Sequence, residues 1–240
     1  MGIFFLTLLT FLVSIIGTIT GFGMSTIMVP VVLLFLPLPE TLLFVGVIHW
    51  FGDLWKILLF KHGIHKKLLI YFGIPGIIAS AYGASLIVHL PEKLSSIVVG
   101  IILVSYVIFL LLEPNFKLKE NNFTASLGGI TSGFLAGISG VGGGALRAVV
   151  LTAFNIPKST YIFTAGVLGA LIDASRIFTY FVSGTRIEIG LFLGFIFFIP
   201  ASFMGAEIAK KFVYKIPQKF FRKVIALFLL LLGIKLILFP

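Results

Sequence analysis

A chain of 240 residues that is 59% hydrophobic and only 11% charged lies far below the quarter of charged residues usual in a soluble domain, and it cannot hide its apolar surface from water. The net charge of +10 does not mark a nucleic-acid binder: Lys and Arg stand at the ends of apolar runs, with no continuous basic surface and interleaved aromatics, and read as positive-inside topology signals. The absence of cysteine excludes disulfides, thiolate metal sites and cysteine nucleophiles.

Apolar runs long enough to cross a bilayer recur from end to end, which predicts an all-α integral membrane protein. Barrel strands would need alternating apolar and polar positions, and these are missing. The stretch Met1 to Gly17 is apolar like a signal peptide but lacks a basic n-region and a small-x-small cleavage pattern, so it is expected to be retained. The segments then follow as Ile3 to Leu36, Leu42 to Phe60, Leu68 to His89 and Leu94 to Leu112. After the polar linker Glu113 to Asn122 come Phe123 to Phe154, Tyr161 to Phe181, Ile187 to Phe212 and Phe220 to Phe239.

The second set repeats the first. A shift of 120 residues aligns Gly17 with Gly137, Gly23 with Gly143, Pro37 with Pro157, Gly46 with Gly166, Asp53 with Asp173 and Lys56 with Arg176. After a short insertion, Pro75 meets Pro200, Pro91 meets Pro217 and Lys93 meets Lys219. Shared hydrophobicity alone does not align Gly, Pro and intramembrane Asp. Two repeats are therefore expected, residues 1 to 118 and 119 to 240, together forming one transmembrane domain.

The first segment of each repeat is too long for one crossing and too short for two: the 34 residues of Ile3 to Leu36 would make a helix of about 51 Å. Each carries a helix-ending glycine cluster, Gly21-Phe22-Gly23 in one and Gly140-Val141-Gly142-Gly143-Gly144 in the other. The simplest geometry is a helical hairpin with its tip inside the membrane and a second arm of about 11 to 13 residues, followed by three transmembrane helices.

Loop charges favour this hairpin. It makes the repeats inverted and puts twelve basic residues on one side (Lys61, Lys66, Lys67, Lys117, Lys119, Lys158, Lys210, Lys211, Lys215, Lys219, Arg222, Lys223) against three on the other (Lys93, Arg186, Lys235). Parallel repeats would divide them about equally. Both termini are then expected outside.

A tip inside the membrane exposes the first N–H groups of the arm beginning at Met24 or Ala145, a place with roughly half a positive charge that an anion can approach. The expected anion-binding residues are Gly21, Gly23, Met24, Ser25 and Thr26 in one repeat and Gly142, Gly143, Gly144, Ala145 and Arg147 in the other. Ser25 and Thr26 add hydroxyls, and Arg147 a guanidinium suited to an oxyanion. Close helix packing by small residues is the competing reading.

Asp53 and Asp173 lie inside their helices, where a carboxylate costs about 2.5 kcal/mol or more. Lys56 and Arg176, three residues on, share their faces. Gly46, His49, Asp53 and Lys56 form one stripe and Gly166, Gly169, Asp173 and Arg176 its match, both facing the bundle interior. Coupling or gating by His49, Asp53, Lys56, Asp173 and Arg176 stands beside a plain structural role in ion pairs. His49 corresponds to Gly169, so any histidine function belongs to one repeat. His62 and His65 have a metal-like spacing in a basic loop without carboxylate or cysteine, and no metal is expected. The stretch Lys210 to Lys223 suits anionic headgroups. No hydrolase or nucleotide-binding motif is present, so neither an enzyme nor a cofactor is expected.

The two glycine clusters, Gly21-Phe22-Gly23-Met24-Ser25 with Pro30 and Gly140-Val141-Gly142-Gly143-Gly144 with Pro157, set in a duplicated chain, resemble the sulfite exporter TauE/SafE family over nearly the whole length. Met24 and Ser25 stand where the family pattern has glycines. The resemblance implies a secondary transporter of sulfite, sulfonates or related sulfur oxyanions across the cell membrane, usually outward. Its partners would be a small inorganic or organic anion and the lipid bilayer, and not nucleic acid; oligomeric state stays open. The rival from another class is a structural or partner-binding membrane protein without transport.

Overall fold

The computed structural model describes residues 2–20, 23–60, 63–112, 119–212, 230–231 and 233–238, and the regular elements among them are all helices. In order they are α1 (Ile3–Thr20), α2 (Ser25–Val32), α3 (Leu38–Leu59), α4 (Lys66–Leu68), a π-helical turn (Leu69–Gly73), α5 (Ile74–His89), α6 (Glu92–Leu112), α7 (Asn122–Ser139), α8 (Gly143–Ala153), α9 (Lys158–Val182) and α10 (Ile189–Phe212). Residues 230–231 and 233–238 are helical as well. The linker positions 113–118 and most of the last expected segment lie outside the described residues.

Among the described residues, four stretches are long and apolar enough to span a bilayer: Leu38–Leu59, Lys66–His89, Thr160–Val182 and Ile189–Lys211. The second of these joins α4, the π turn and α5. Its widened turn sits just before Pro75, whose missing N–H and bulky ring disturb the regular ladder there.

Each anomalous first segment is a hairpin of two helices. Gly140 and Gly142 take φ of +67° and +85°, and Gly23 takes +84°, left-handed backbone that ends one helix and redirects the chain into the next. In the second hairpin, Gly128 of α7 packs on Val150 of α8, while Ser132 donates to the Gly143 carbonyl at 2.6 Å. Later residues of α8 thus meet earlier residues of α7, and the chain doubles back. The first hairpin closes likewise: Gly17 packs against Met24, and Phe5 meets Phe35 edge-on at 6.3 Å. α8 has the expected 11 residues. The first return arm is shorter than expected, since α2 has 8 residues and gives way to turns before Pro37. At about 12 and 16 Å, neither return arm spans the hydrocarbon.

The helices pack crosswise. α1 lies on α10, α5 on α7, and α3 on α9. Glycine permits the closest of these crossings. Gly129, Gly133 and Gly137 of α7 abut the backbone carbonyls of Phe72, Gly76 and Ser80, so a side chain at any of the three collides with main chain. Across α1 and α10, Ser14 donates to the Ser202 carbonyl at 2.5 Å. Phe192, Ile196 and Phe197 of α10 and Phe178 of α9 point outward, as surfaces toward lipid acyl chains do. The interior between α3, α9 and the two hairpin tips is left for polar side chains.

A buried ionic centre beneath two helix breaks

α3 and α9 enter their spans behind a proline N-cap, Pro37 and Pro157. Each carries its polar stripe inward: His49, Asp53 and Lys56 on α3, and Asp173 and Arg176 on α9, are all buried. The pairs expected from the three-residue spacing are formed. Lys56 Nζ donates to Asp53 Oδ1 at 2.6 Å, and Arg176 Nε donates to Asp173 Oδ1 at 2.7 Å.

The spacing did not disclose that each carboxylate also takes a partner from the other half of the chain. His49 Nδ1 lies 2.5 Å from Asp173 Oδ2, and Arg147 Nη2 of α8 lies 3.5 Å from Asp53 Oδ2. His49 and Asp53 are themselves 4.0 Å apart. Arg147 is therefore engaged with a carboxylate rather than turned freely to the tip. The close approach depends on Gly169: a Cβ there would strike the Asp53 carboxylate and come within 2.6 Å of Arg147 Nη1. Gly169, paired in the sequence with His49, thus makes room for the ion pair.

The hairpin tips face this centre. A Cβ on Gly23 would sit 2.5 Å from His49 Nε2, and one on Gly140 would sit 3.7 Å from Arg176 Nη1. Met24 lays its sulfur on Gly52. Ser25 and Thr26 are buried at the start of α2, as are Gly143 and Ala145 at the start of α8. Neither Met24 nor Gly142, the two N-cap residues, supplies a side-chain cap, and the first turns of both helices retain the amide polarity of a helix N-terminus. Gly21 lies outside the described residues.

Among the described residues, the buried polar side-chain atoms without a hydrogen bond include His49 Nε2, Asp53 Oδ2 and Arg176 Nη1. Three members of one cluster thus keep unused capacity, and two of those atoms face the tips. An unsatisfied buried polar atom is costly, and each one in a native structure calls for an explanation.

His49, Asp53 and Asp173 also bring ligand-type atoms within 4.8 Å of one another. A metal ion there would compete with Lys56, Arg147 and Arg176 for the same carboxylates, so the set suits negative charge better than a second cation. His65 acts locally: its ring accepts from the Leu68 N–H at 3.3 Å and caps α4. His62 lies outside the described residues. Tyr180, which the sequence reading passed over, is fully buried and donates its hydroxyl to the Gly137 carbonyl. A tyrosine one turn beyond Arg176 on an inward stripe was the available signal, since a buried hydroxyl requires a partner.

Two interrupted hairpins closing over charges at mid-span define a polytopic helical membrane protein of the transporter class. The chain belongs to the sulfite exporter TauE/SafE family, whose model matches residues 6–236. This is a family of membrane transporters, not enzymes, and places the chain among proteins that move anions. Comparison with curated proteins and with solved structures gave no match.

Proposed function

We propose that the protein is a secondary transporter that exports sulfite or sulfonate-like oxyanions across the cell membrane, binding them between the two glycine tips and the ionic centre. The observation that carries this reading is the pair of buried nitrogens, His49 Nε2 and Arg176 Nη1, that have no hydrogen-bond partner among the described residues and each face a glycine at a helix break. Around them, Gly23, Met24, Ser25 and Thr26 line one side, and Gly142, Gly143, Gly144 and Ala145 the other. Arg147 tunes the centre through Asp53.

The halves 1–118 and 119–240 act as inverted repeats. The crosswise packing supports a two-fold relation of the halves, because α1 on α10 and α5 on α7 are the same contact with the halves exchanged. The charge asymmetry of the loops then puts both termini outside. Rocking one half against the other around the centre would open the site to each side in turn.

Reconstituted vesicles test the proposal. Saturable sulfite or methanesulfonate flux is expected in the native protein, and Gly23→Ala, whose methyl would crowd His49 Nε2, abolishes it while the protein remains inserted. Flux equal to that of empty vesicles across a panel of oxyanions refutes it.

A further inference from the structure

We infer that His49 loads a proton together with the anion, so that the transported unit is a divalent oxyanion plus one H+; this rests on the anion site proposed above. A carboxylate can only accept a hydrogen bond, so His49 Nδ1, 2.5 Å from Asp173 Oδ2, keeps its hydrogen whether or not the ring is charged. The state of the ring is then expressed at Nε2 alone: a bare lone pair when neutral, an N–H donor when protonated. That nitrogen is buried, has no hydrogen-bond partner among the described residues and faces Gly23 at the first tip. The neutral ring turns a lone pair toward an arriving oxyanion and repels it. The protonated ring offers it a charge-assisted hydrogen bond.

The charges around the ring agree. Asp53 and Asp173 are outweighed by Lys56, Arg147 and Arg176, leaving one net positive charge with neutral histidine. A dianion and a proton together bring the centre to neutrality, as a monoanion such as methanesulfonate does without a proton, whereas a dianion alone leaves net charge buried in the span, which the membrane interior penalises. No bond of the anion breaks: a proton passes from water to Nε2 on loading and returns on release.

Among the described residues, the charged groups facing His49 are Asp173 and Asp53, with Arg176, Lys56 and Arg147 beyond them. α1 and α2 contain no charged residue, α6 carries Glu92 and Lys93 at its start, and α10 carries Glu207, Lys210 and Lys211 toward its C-terminal end. His49 is thus the group in the centre that has both a neutral and a protonated form to offer an arriving anion.

The test is proton uptake by the purified full chain in weakly buffered alkaline solution, where inorganic sulfite is the dianion. Addition of sulfite is expected to remove about one proton per bound anion from solution, with affinity falling about tenfold per pH unit across the alkaline range. His49→Gln keeps an N–H for Asp173 but cannot titrate, and is expected to lose both the uptake and the slope. Sulfite binding by the native protein without proton uptake, or uptake that persists in His49→Gln, overturns the coupling and leaves the anion site standing. No sulfite binding by the native protein overturns both.

Discussion

Replacing Gly169 by alanine separates two effects of opposite sign. In the interior of α9 alanine is the better helix former by about 1 kcal/mol, so a glycine there with free space around it would gain stability from the change. The space is not free. The new Cβ would overlap the Asp53 carboxylate and stand 2.6 Å from Arg147 Nη1, and relief requires Asp53 to leave Arg147, Lys56 or both. Separating a buried pair costs about 3–5 kcal/mol because a charge is left without its partner. The net expectation is a loss of about 2–4 kcal/mol, or about 5–15 °C in thermal unfolding in detergent. Gly190→Ala, where the nearest neighbour of the new atom is 3.9 Å away, serves as the control and is expected to be close to neutral. A cycle with Asp53→Ala identifies the cause. Once the carboxylate is gone, Gly169→Ala should cost little, giving a coupling of about 3 kcal/mol. Gly169→Ala that is as stable as the native protein, or equally harmful in both backgrounds, refutes the packing argument.

Asp173→Asn leaves His49 and Arg176 without their shared carboxylate, and about 3–5 kcal/mol should be lost; Arg176→Lys, which reproduces the Asp53–Lys56 arrangement, should be much milder, as read by thermal unfolding of the two proteins side by side. Gly133→Leu drives a side chain into the Gly76 backbone and is expected to abolish monodisperse protein on size exclusion, whereas Ile130→Leu on the exposed side of the same helix should leave the profile unchanged. Reporter fusions after Pro240 should read outside and insertions after Lys119 inside; a cytoplasmic C-terminus would count directly against inverted repeats.

Four of the expected spans, the glycine breaks and the two i,i+3 ion pairs were legible in the sequence because each is a local property. A run of apolar residues, a glycine cluster in an overlong segment, and a carboxylate with a cation three residues on all declare themselves within one or two helical turns. The contacts that organise the centre were not legible, because they join residues about a hundred positions apart. Nothing near His49 says that its partner is Asp173, and nothing near Arg147 says that it reaches Asp53. The length of α2 was misjudged for a related reason: Leu33 to Leu36 are as apolar as the helix before them, yet they form turns leading to Pro37.

On the proposed alignment of the halves, the centre is symmetric in what it does for the carboxylates and asymmetric in how it does it. Asp53 and Asp173 each hold a cation from their own helix and one nitrogen group from the opposite half. For Asp173 that second group is an imidazole on α3; for Asp53 it is a guanidinium on α8. The positions related to them by the 120-residue shift are Gly169 and Ile27, neither of which can donate from a side chain, and Gly169 gives Arg147 its room. One interlock is therefore a guanidinium and the other an imidazole, the side chain of the two that exists in a neutral and a protonated form. A symmetric pair of imidazoles would load two protons and a symmetric pair of guanidiniums none. In the proposed coupling, one of each ties a single proton to each passage of the anion.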